Sequence, residues 1–204
     1  MTHDRLRAMP EHAASQVSLW VARWAPLVPA GGAVLDLACG TGRHARFLAA
    51  RGHPVLAVDR SADALAGLRP VPGVEVLEAD LEAGRPWPLP GRRFAGVLVT
   101  NYLHRPLFQA IADAVDAGGV LIYETFMAGN ERFGRPSNPE FLLNPGELLQ
   151  GFGVLLDVVA FEQGRVDRPG SAVVQRLCAR RGAAPAGLDD SVAPGRVSGD
   201  GSGG

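Results

Sequence analysis

A chain wound as α/β layers on both faces of a mostly parallel sheet is the fold class that these 204 residues predict. Three observations predict it. Short apolar runs recur at Val34–Leu37, Val55–Val58, Val74–Leu77, Phe94–Thr100 and Val120–Tyr123, and segments of helical periodicity separate several of them. The first run breaks into a turn of small residues, Ala38-Cys39-Gly40-Thr41-Gly42. An acid stands at or near the end of each of the first three runs, at Asp36, Asp59 and Asp80. One acid at a strand end is an ordinary turn residue; three in succession mark one edge of a sheet.

The elements follow in order. His12 to Trp24 reads as an amphipathic helix with Val17, Trp20, Val21 and Trp24 on one side, packed on the core or with Trp20 lining a ligand pocket. Strand Val34–Leu37 and its glycine turn lead into a helix from Arg43 to Arg51, with Ala45, Leu48 and Ala49 at helical spacing. Glycine lets backbone approach backbone or ligand where a Cβ would collide, and a helix start presents free N–H groups. In an open α/β sheet this is where nucleotide-like cofactors sit. Val55–Asp59 is the second strand, and its terminal acid stands where a doubly wound fold accepts hydrogen bonds from ribose hydroxyls. Ser61 caps a helix carrying Asp63 in its first turn and Ala64, Leu65 and Leu68 as its apolar face. Val74–Leu77 is a third strand leading to Glu78-Ala79-Asp80-Leu81.

Phe94–Thr100, apolar throughout, suits a central parallel strand and ends at Asn101-Tyr102-Leu103-His104. Pro106 opens a helix to about Asp116, with Leu107, Ala110, Ile111, Ala114 and Val115 inward, stopped by Ala117-Gly118-Gly119. Val120–Glu124 is the fifth strand. Asn144-Pro145-Gly146-Glu147 is a helix start with Asn as cap, Pro at the first position and Glu at the third. Val154–Phe161 and Ala172–Ala179 bracket a turn containing Gly164, Pro169 and Gly170 and form a terminal antiparallel pair. From Gly182 onward the chain has almost no apolar weight and is expected to be disordered.

Gly40-Thr41-Gly42-Arg43-His44-Ala45 satisfies a relaxed dinucleotide fingerprint, but that pattern has no carboxylate inside the strand end. Here Asp36 precedes Gly40 in the form Asp-x-x-Cys-Gly-x-Gly. The stretch resembles motif I of the class I S-adenosylmethionine-dependent methyltransferases, an acid followed by Gly-x-Gly-x-Gly, with Ala38 replacing the first glycine. The resemblance covers residues from about 30 to 180 and implies a Rossmann-like mixed sheet, mostly parallel with the last strand antiparallel. It implies cofactor contacts at Asp36, Ala38, Cys39, Gly40, Gly42, Asp59, Arg60, Asp80, Leu81 and Asn101. In that family an acid at the position of Asp80 accepts from the adenine amino group, and the backbone N–H after it meets the ring. Asn101 resembles the residue that contacts the methionine moiety. The domains expected are an N-terminal helical segment over 1–29, an S-adenosylmethionine-binding domain over 30–181 and the tail over 182–204.

Displacement of a methyl group from a sulfonium demands alignment and protection from water more than any one catalytic group. A thiolate needs no base, whereas an alcohol or protonated amine does. Tyr102 and His104 are the candidates to touch substrate, His104 having the plainer alternative of a hydrogen-bonded structural histidine. Glu124 ends the fifth strand at the same edge, as a catalytic group or as a salt-bridge partner. The segment from Thr125 to Leu143 is too long and featured for a plain connection. It is read as a lid in which Arg132 and Arg135, with Phe133 between them, contact substrate; the alternative is a covering loop whose arginines are solvated or paired with Glu131 and Glu140.

Composition narrows the function. All 20 basic residues are arginine, which removes Schiff-base chemistry and a Walker lysine. A net charge of −1 implies no bulk attraction to nucleic acid or a membrane surface. The 2 cysteines are too few for a disulfide scaffold, and His3, His12, His44 and His53 have no metal-ligand spacing. No signal peptide or membrane span is visible, so a soluble cytoplasmic enzyme is expected. After Asn101 the chain lacks the Pro-Pro-aromatic pattern of the adenine and cytosine amino-methyltransferases. The whole string is similar to small single-domain bacterial methyltransferases of the tellurite-resistance-like type. That likeness implies a small-molecule acceptor, for example a thiol or a chalcogen oxyanion. The rival readings are an RNA or protein methyltransferase, a nicotinamide-dependent oxidoreductase and a cofactor-binding protein without catalysis.

Overall fold

In the computed structural model, residues 16–167 and 170–182 are described. The sequence expectations for 12–15, Pro169 and the tail from 183 lie outside the described residues.

Seven strands form a single sheet in the order β3-β2-β1-β4-β5-β7-β6. They are β1 (Val34–Leu37), β2 (Val55–Asp59), β3 (Val74–Glu78), β4 (Phe94–Thr100), β5 (Val115–Phe126), β6 (Asp157–Val166) and β7 (Ala172–Arg180). The first five run parallel, and β7 lies antiparallel to both β5 and β6. This is the mixed, mostly parallel sheet that the apolar runs predict. The helices are α1 (Leu19–Trp24), α2 (Arg43–Ala49), α3 (Ala62–Ala66), α4 (Phe108–Asp113) and α5 (Glu147–Phe152).

Because successive side chains of a strand point to opposite faces, each central strand feeds two cores. Val97 and Val99 of β4, with Leu121 and Tyr123 of β5, join Ile111, Leu148 and Phe152 on one face. Leu98 and Ile122 join Trp20, Val21, Ala45, Leu48 and Leu65 on the other. Helices α1, α2 and α3 therefore cover one face, and α4 and α5 the other.

Trp20 is 2% exposed, its indole Nε1 donates to the Leu177 carbonyl at 3.3 Å, and its ring meets Trp24 edge-on at 5.5 Å. It packs in the core, the first of its two sequence readings. No helix among the described residues is long and apolar enough to cross a membrane.

Several boundaries differ from the sequence reading; the first helix starts only at Leu19, capped by Ser18, so residues 16–18 lie before it. The helix expected from Pro106 to Asp116 is a 3-10 turn, Arg105–Leu107, followed by α4, and Val115 already lies in β5. The helix ends early because other groups take its last carbonyls. Phe94 N donates to Ala114 O at 2.8 Å, and Arg181 donates to Val115 O at 2.8 Å and Ala112 O at 2.6 Å. Gly118 and Gly119 instead shape a register shift within β5; a Cβ on Gly119 would meet the Phe94 and Asp116 carbonyls at 2.9 Å. At α5 the residue before the helix is Gly146 at φ +73°, not Asn144. The carboxylate of Glu147 reaches back to accept from Asn144 N at 2.7 Å, so the acid rather than the asparagine closes that turn. Strand β6 starts at Asp157 and not at Val154, because Leu155 N and Leu156 N both donate to Phe152 O and close a turn.

Candidate active site

A cleft runs along the carboxyl ends of the parallel strands, where a doubly wound sheet places its ligands. Four strand ends, among other segments, meet there. The β1 turn contributes Ala38 and Gly40, the end of β2 contributes Asp59 and Arg60, β3 leads in Asp80 and Leu81, and β4 ends at Asn101 and Tyr102.

The turn after β1 is left-handed twice over, at Ala38 (φ +53°) and Gly40 (φ +56°). An alanine in that conformation is strained by about 1 kcal/mol, a strain that a glycine would not carry. A Cβ built on Gly40 would have nothing within 4 Å, so the turn presents bare backbone to open space. Gly42, at φ +75°, precedes α2 and serves close packing instead, since a Cβ on it would strike the Leu68 side chain at 2.3 Å. Gly42 and Cys39 do not line the cleft. Burial and the neighbouring acids Asp36 and Asp59 push the Cys39 thiol far above its ordinary pKa, which makes it a poor nucleophile.

Asp59 fastens this turn. One carboxylate oxygen accepts from Gly40 N at 2.8 Å and the other from Ser61 N at 2.9 Å. Each oxygen keeps a further lone pair for a ligand. Asp80 accepts from Glu82 N at 2.9 Å and is otherwise exposed at the rim. Asp36 is 0% exposed, and neither of its oxygens has a hydrogen-bond partner among the described residues. Burial pushes its carboxyl up to about 7, against the pull of the Ala45 backbone N–H and the Arg43 guanidinium.

Next to it, His44 is 1% exposed and neutral: burial, helped by the Arg43 charge, pushes it down to about 3. Its Nε2 accepts from Ser18 N at 3.1 Å, which leaves Nδ1 to donate to Thr100 Oγ at 3.3 Å. His44 thus couples the segment leading into α1 to the end of β4.

The proposed substrate groups are dispersed. Tyr102 lines the cleft, whereas His104 does not. Glu124 is 8% exposed, lines a neighbouring cavity and is bonded to Arg176 Nε at 2.5 Å, which is the salt-bridge alternative. Of Arg132, Phe133 and Arg135, Arg135 lines the cleft, beside Pro136 and Phe141. Arg132 and Phe133 are exposed and outside it, with the Arg165 guanidinium 5.0 Å from the Phe133 ring. Glu131 accepts from Gly129 N at 2.8 Å.

Sequence reasoning missed two anchors of this loop. Asn130, 2% exposed, donates to Pro136 O and accepts from Val173 N, each at 3.1 Å. Arg105 donates to Glu140 O and Leu142 O and grips both oxygens of Glu147. Arg43, which follows the glycine turn and lines both cavities, was legible only as the start of a helix. No cluster of potential metal ligands occurs among the described residues.

A family model described as a methyltransferase domain matches residues 34–119, from β1 into the β5 bulge. TehB from Haemophilus influenzae superimposes with a TM-score of 0.65 at 15% identity, covering 86% of this chain. The chain spans 63% of the length of that protein. An S-adenosylmethionine-dependent methyltransferase from Mesorhizobium loti gives 0.61 at 22% identity, over 78% of this chain and 98% of its own. The glycopeptide N-methyltransferase MtfA, in complex with S-adenosyl-L-methionine, gives 0.57 at 18%, over 79% and 92%. No curated protein sequence matches the chain. The fold is the class I methyltransferase fold, and the methyltransferase-domain model matches the middle of the chain.

Proposed function

We propose, from the premise that residues 34–119 carry the methyltransferase domain of a class I S-adenosylmethionine-dependent enzyme, that the chain methylates a small-molecule acceptor. A thiol or a chalcogen oxyanion is within that class. The observation that carries the reading is the convergence of Ala38, Gly40, Asp59, Asp80, Leu81 and Asn101 on one cleft, from four separate strand ends.

The residues suit the cofactor. The bare backbone of Gly40 leaves room beside the turn, and the buried carboxylate of Asp36 lies behind it. Asp59 has the lone pairs to accept from ribose hydroxyls, Asp80 to accept from the adenine amino group, and Leu81 has the backbone N–H for the ring. S-adenosylmethionine, when bound, would supply an electrophilic sulfonium methyl carbon, to which an acceptor lone pair would bond as the carbon–sulfur pair departs with the neutral thioether. The protein's own work is to orient and to exclude water. Asn101 is held in a left-handed conformation (φ +54°), its N–H bonded to Glu124 O at 2.9 Å, which fixes the end of β4 against β5. The anchored loop brings Arg135, Pro136 and Phe141 over the cleft.

The test is formation of S-adenosylhomocysteine from S-adenosylmethionine against a panel of thiols, oxyanions and carboxylates, with RNA and a protein mixture in parallel. Turnover with a small acceptor is expected. Turnover confined to RNA or to protein would refute the acceptor class.

A further inference from the structure

The cleft extends past the residues read as cofactor contacts. In the strand order β3-β2-β1-β4-β5, Asp80, Asp59, Gly40 and Asn101 stand at or just past the ends of the first four strands, and the end of β5 lies one strand further on. Neighbouring strands are about 4.8 Å apart, so the edge from β3 to β5 measures roughly 19 Å. Thr125 and Phe126 line the cleft at the β5 end, with Tyr102 and Leu103 following β4, and Pro136 and Phe141 from the loop. Apart from the Tyr102 and Thr125 hydroxyls, these six side chains are apolar. Thr125, Leu103 and Phe126 are buried, so they are fixed parts of the packed body.

Phe141 is held in place from both sides. Arg105 donates to the carbonyls that flank it, Glu140 O and Leu142 O, each at 2.9 Å, and its remaining bonds go to the Glu147 carboxylate. Arg105 lies two residues after Leu103, and the Tyr102 carbonyl accepts from Tyr123 Oη at 2.9 Å. The loop wall and the β4 wall are therefore tied to one another through Arg105. Arg43 and Arg135 also line the cleft, but both are engaged within the protein. An oxyanion bound here would lose hydration against apolar walls and compete with the present partners of those guanidiniums.

We propose that the β5 end of the cleft is the acceptor pocket, and that it takes an uncharged acceptor with an apolar body. Phe141 selects for that body, and Arg105 is the positioning residue that sets Phe141 against the β4 wall. Within the class named above this favours an apolar thiol over a chalcogen oxyanion. The assignment rests on the cofactor reading, which leaves this end of the cleft to the second substrate.

The test is calorimetric titration of the full chain, saturated with S-adenosylhomocysteine at neutral pH, with phenylmethanethiol, 2-mercaptoethanol and selenite. The two thiols carry the same reacting group and differ in their body. Phenylmethanethiol is expected to bind about tenfold or more tighter than 2-mercaptoethanol, and selenite to give no heat. F141A is expected to cut the ratio between the thiols about fivefold while S-adenosylhomocysteine affinity stays within about twofold. R105Q should lower the ratio in the same way and R105K restore part of it, whereas a merely structural Arg105 would lower Tm and leave the ratio alone. If R105Q fails to fold, F141A still decides, since Phe141 is only half-buried. Equal binding of the thiols, tighter binding of selenite, an unchanged ratio in F141A, or a loss of S-adenosylhomocysteine affinity in F141A would each overturn the proposal and leave the cofactor reading standing. A native chain that rejects S-adenosylhomocysteine would overturn the cofactor reading itself, and the acceptor pocket with it.

Discussion

Asp36→Asn should make the ligand-free protein more stable, and by an amount that depends on pH. The Asp36 carboxyl titrates near 7 in the folded chain against 3.8 as its ordinary value, because burial disfavours the charged form. The folded state thus holds a proton that the unfolded state has released, and this contribution to stability falls as pH rises from about 4 to about 7. At about 1.4 kcal/mol per pH unit, ionising Asp36 costs roughly 2 kcal/mol at pH 5 and roughly 4 kcal/mol at pH 8. His44 works in the opposite direction. Its folded value near 3 lies below its ordinary 6.5, so its contribution is present above about 6.5 and is lost as pH falls toward 3. In the native sequence the two slopes largely cancel between about 4 and 6.5. The difference between Asp36→Asn and the native sequence removes the His44 contribution and isolates Asp36. Urea unfolding at both pH values should show the variant's advantage growing by about 2–3 kcal/mol from pH 5 to pH 8. An advantage that stays constant, or a variant that loses stability relative to the native chain as pH rises, would refute a carboxylate whose burial outweighs the pull of Ala45 and Arg43.

Other perturbations separate cofactor contacts from scaffolding. Asp59→Ala should weaken S-adenosylmethionine binding by about 1–3 kcal/mol, the scale of lost charge-assisted hydrogen bonds. Unchanged affinity in a folded variant would remove Asp59 from the ribose role. Ala38→Gly should raise stability by up to about 1 kcal/mol, since it relieves a left-handed alanine; a lower Tm would show that the turn is unstrained. Arg105→Ala should cost about 1–3 kcal/mol and open the 130–143 loop to limited proteolysis, because the guanidinium bridges two carbonyls and Glu147. The Glu147 carboxyl, held below the ordinary range by Arg105 and the Asn144 donors against the opposing effect of burial, adds stability above its unfolded pKa. Acidification through the folded value should therefore destabilise the native chain more than Arg105→Ala.

What the sequence made legible were features that a strand or turn writes locally. Val34–Leu37, Val55–Asp59 and Phe94–Thr100 are apolar because both faces of a parallel strand are buried, and Asp59 is recognisable because it closes such a run. The long-range partners were not legible. Nothing around Arg181 announces that its guanidinium ends α4, nor does any local pattern tell that Glu147 is held by Arg105, 42 residues away. His44 read as one more residue of a helix, although its two ring nitrogens join α1 to β4. For the same reason Asp59, Asp80 and Asn101 could be assigned to one edge, while Arg132 and Arg135 could not be told apart. Only the folded path of the loop decides that Arg135 meets the cleft.

The most direct test of the account is parallel calorimetric titration of the full chain with S-adenosylmethionine, S-adenosylhomocysteine and NAD. Saturable micromolar binding of the two adenosyl ligands, with no heat from NAD, is the predicted result. Binding of NAD alone would contradict the reading of Asp36 and of the whole cleft.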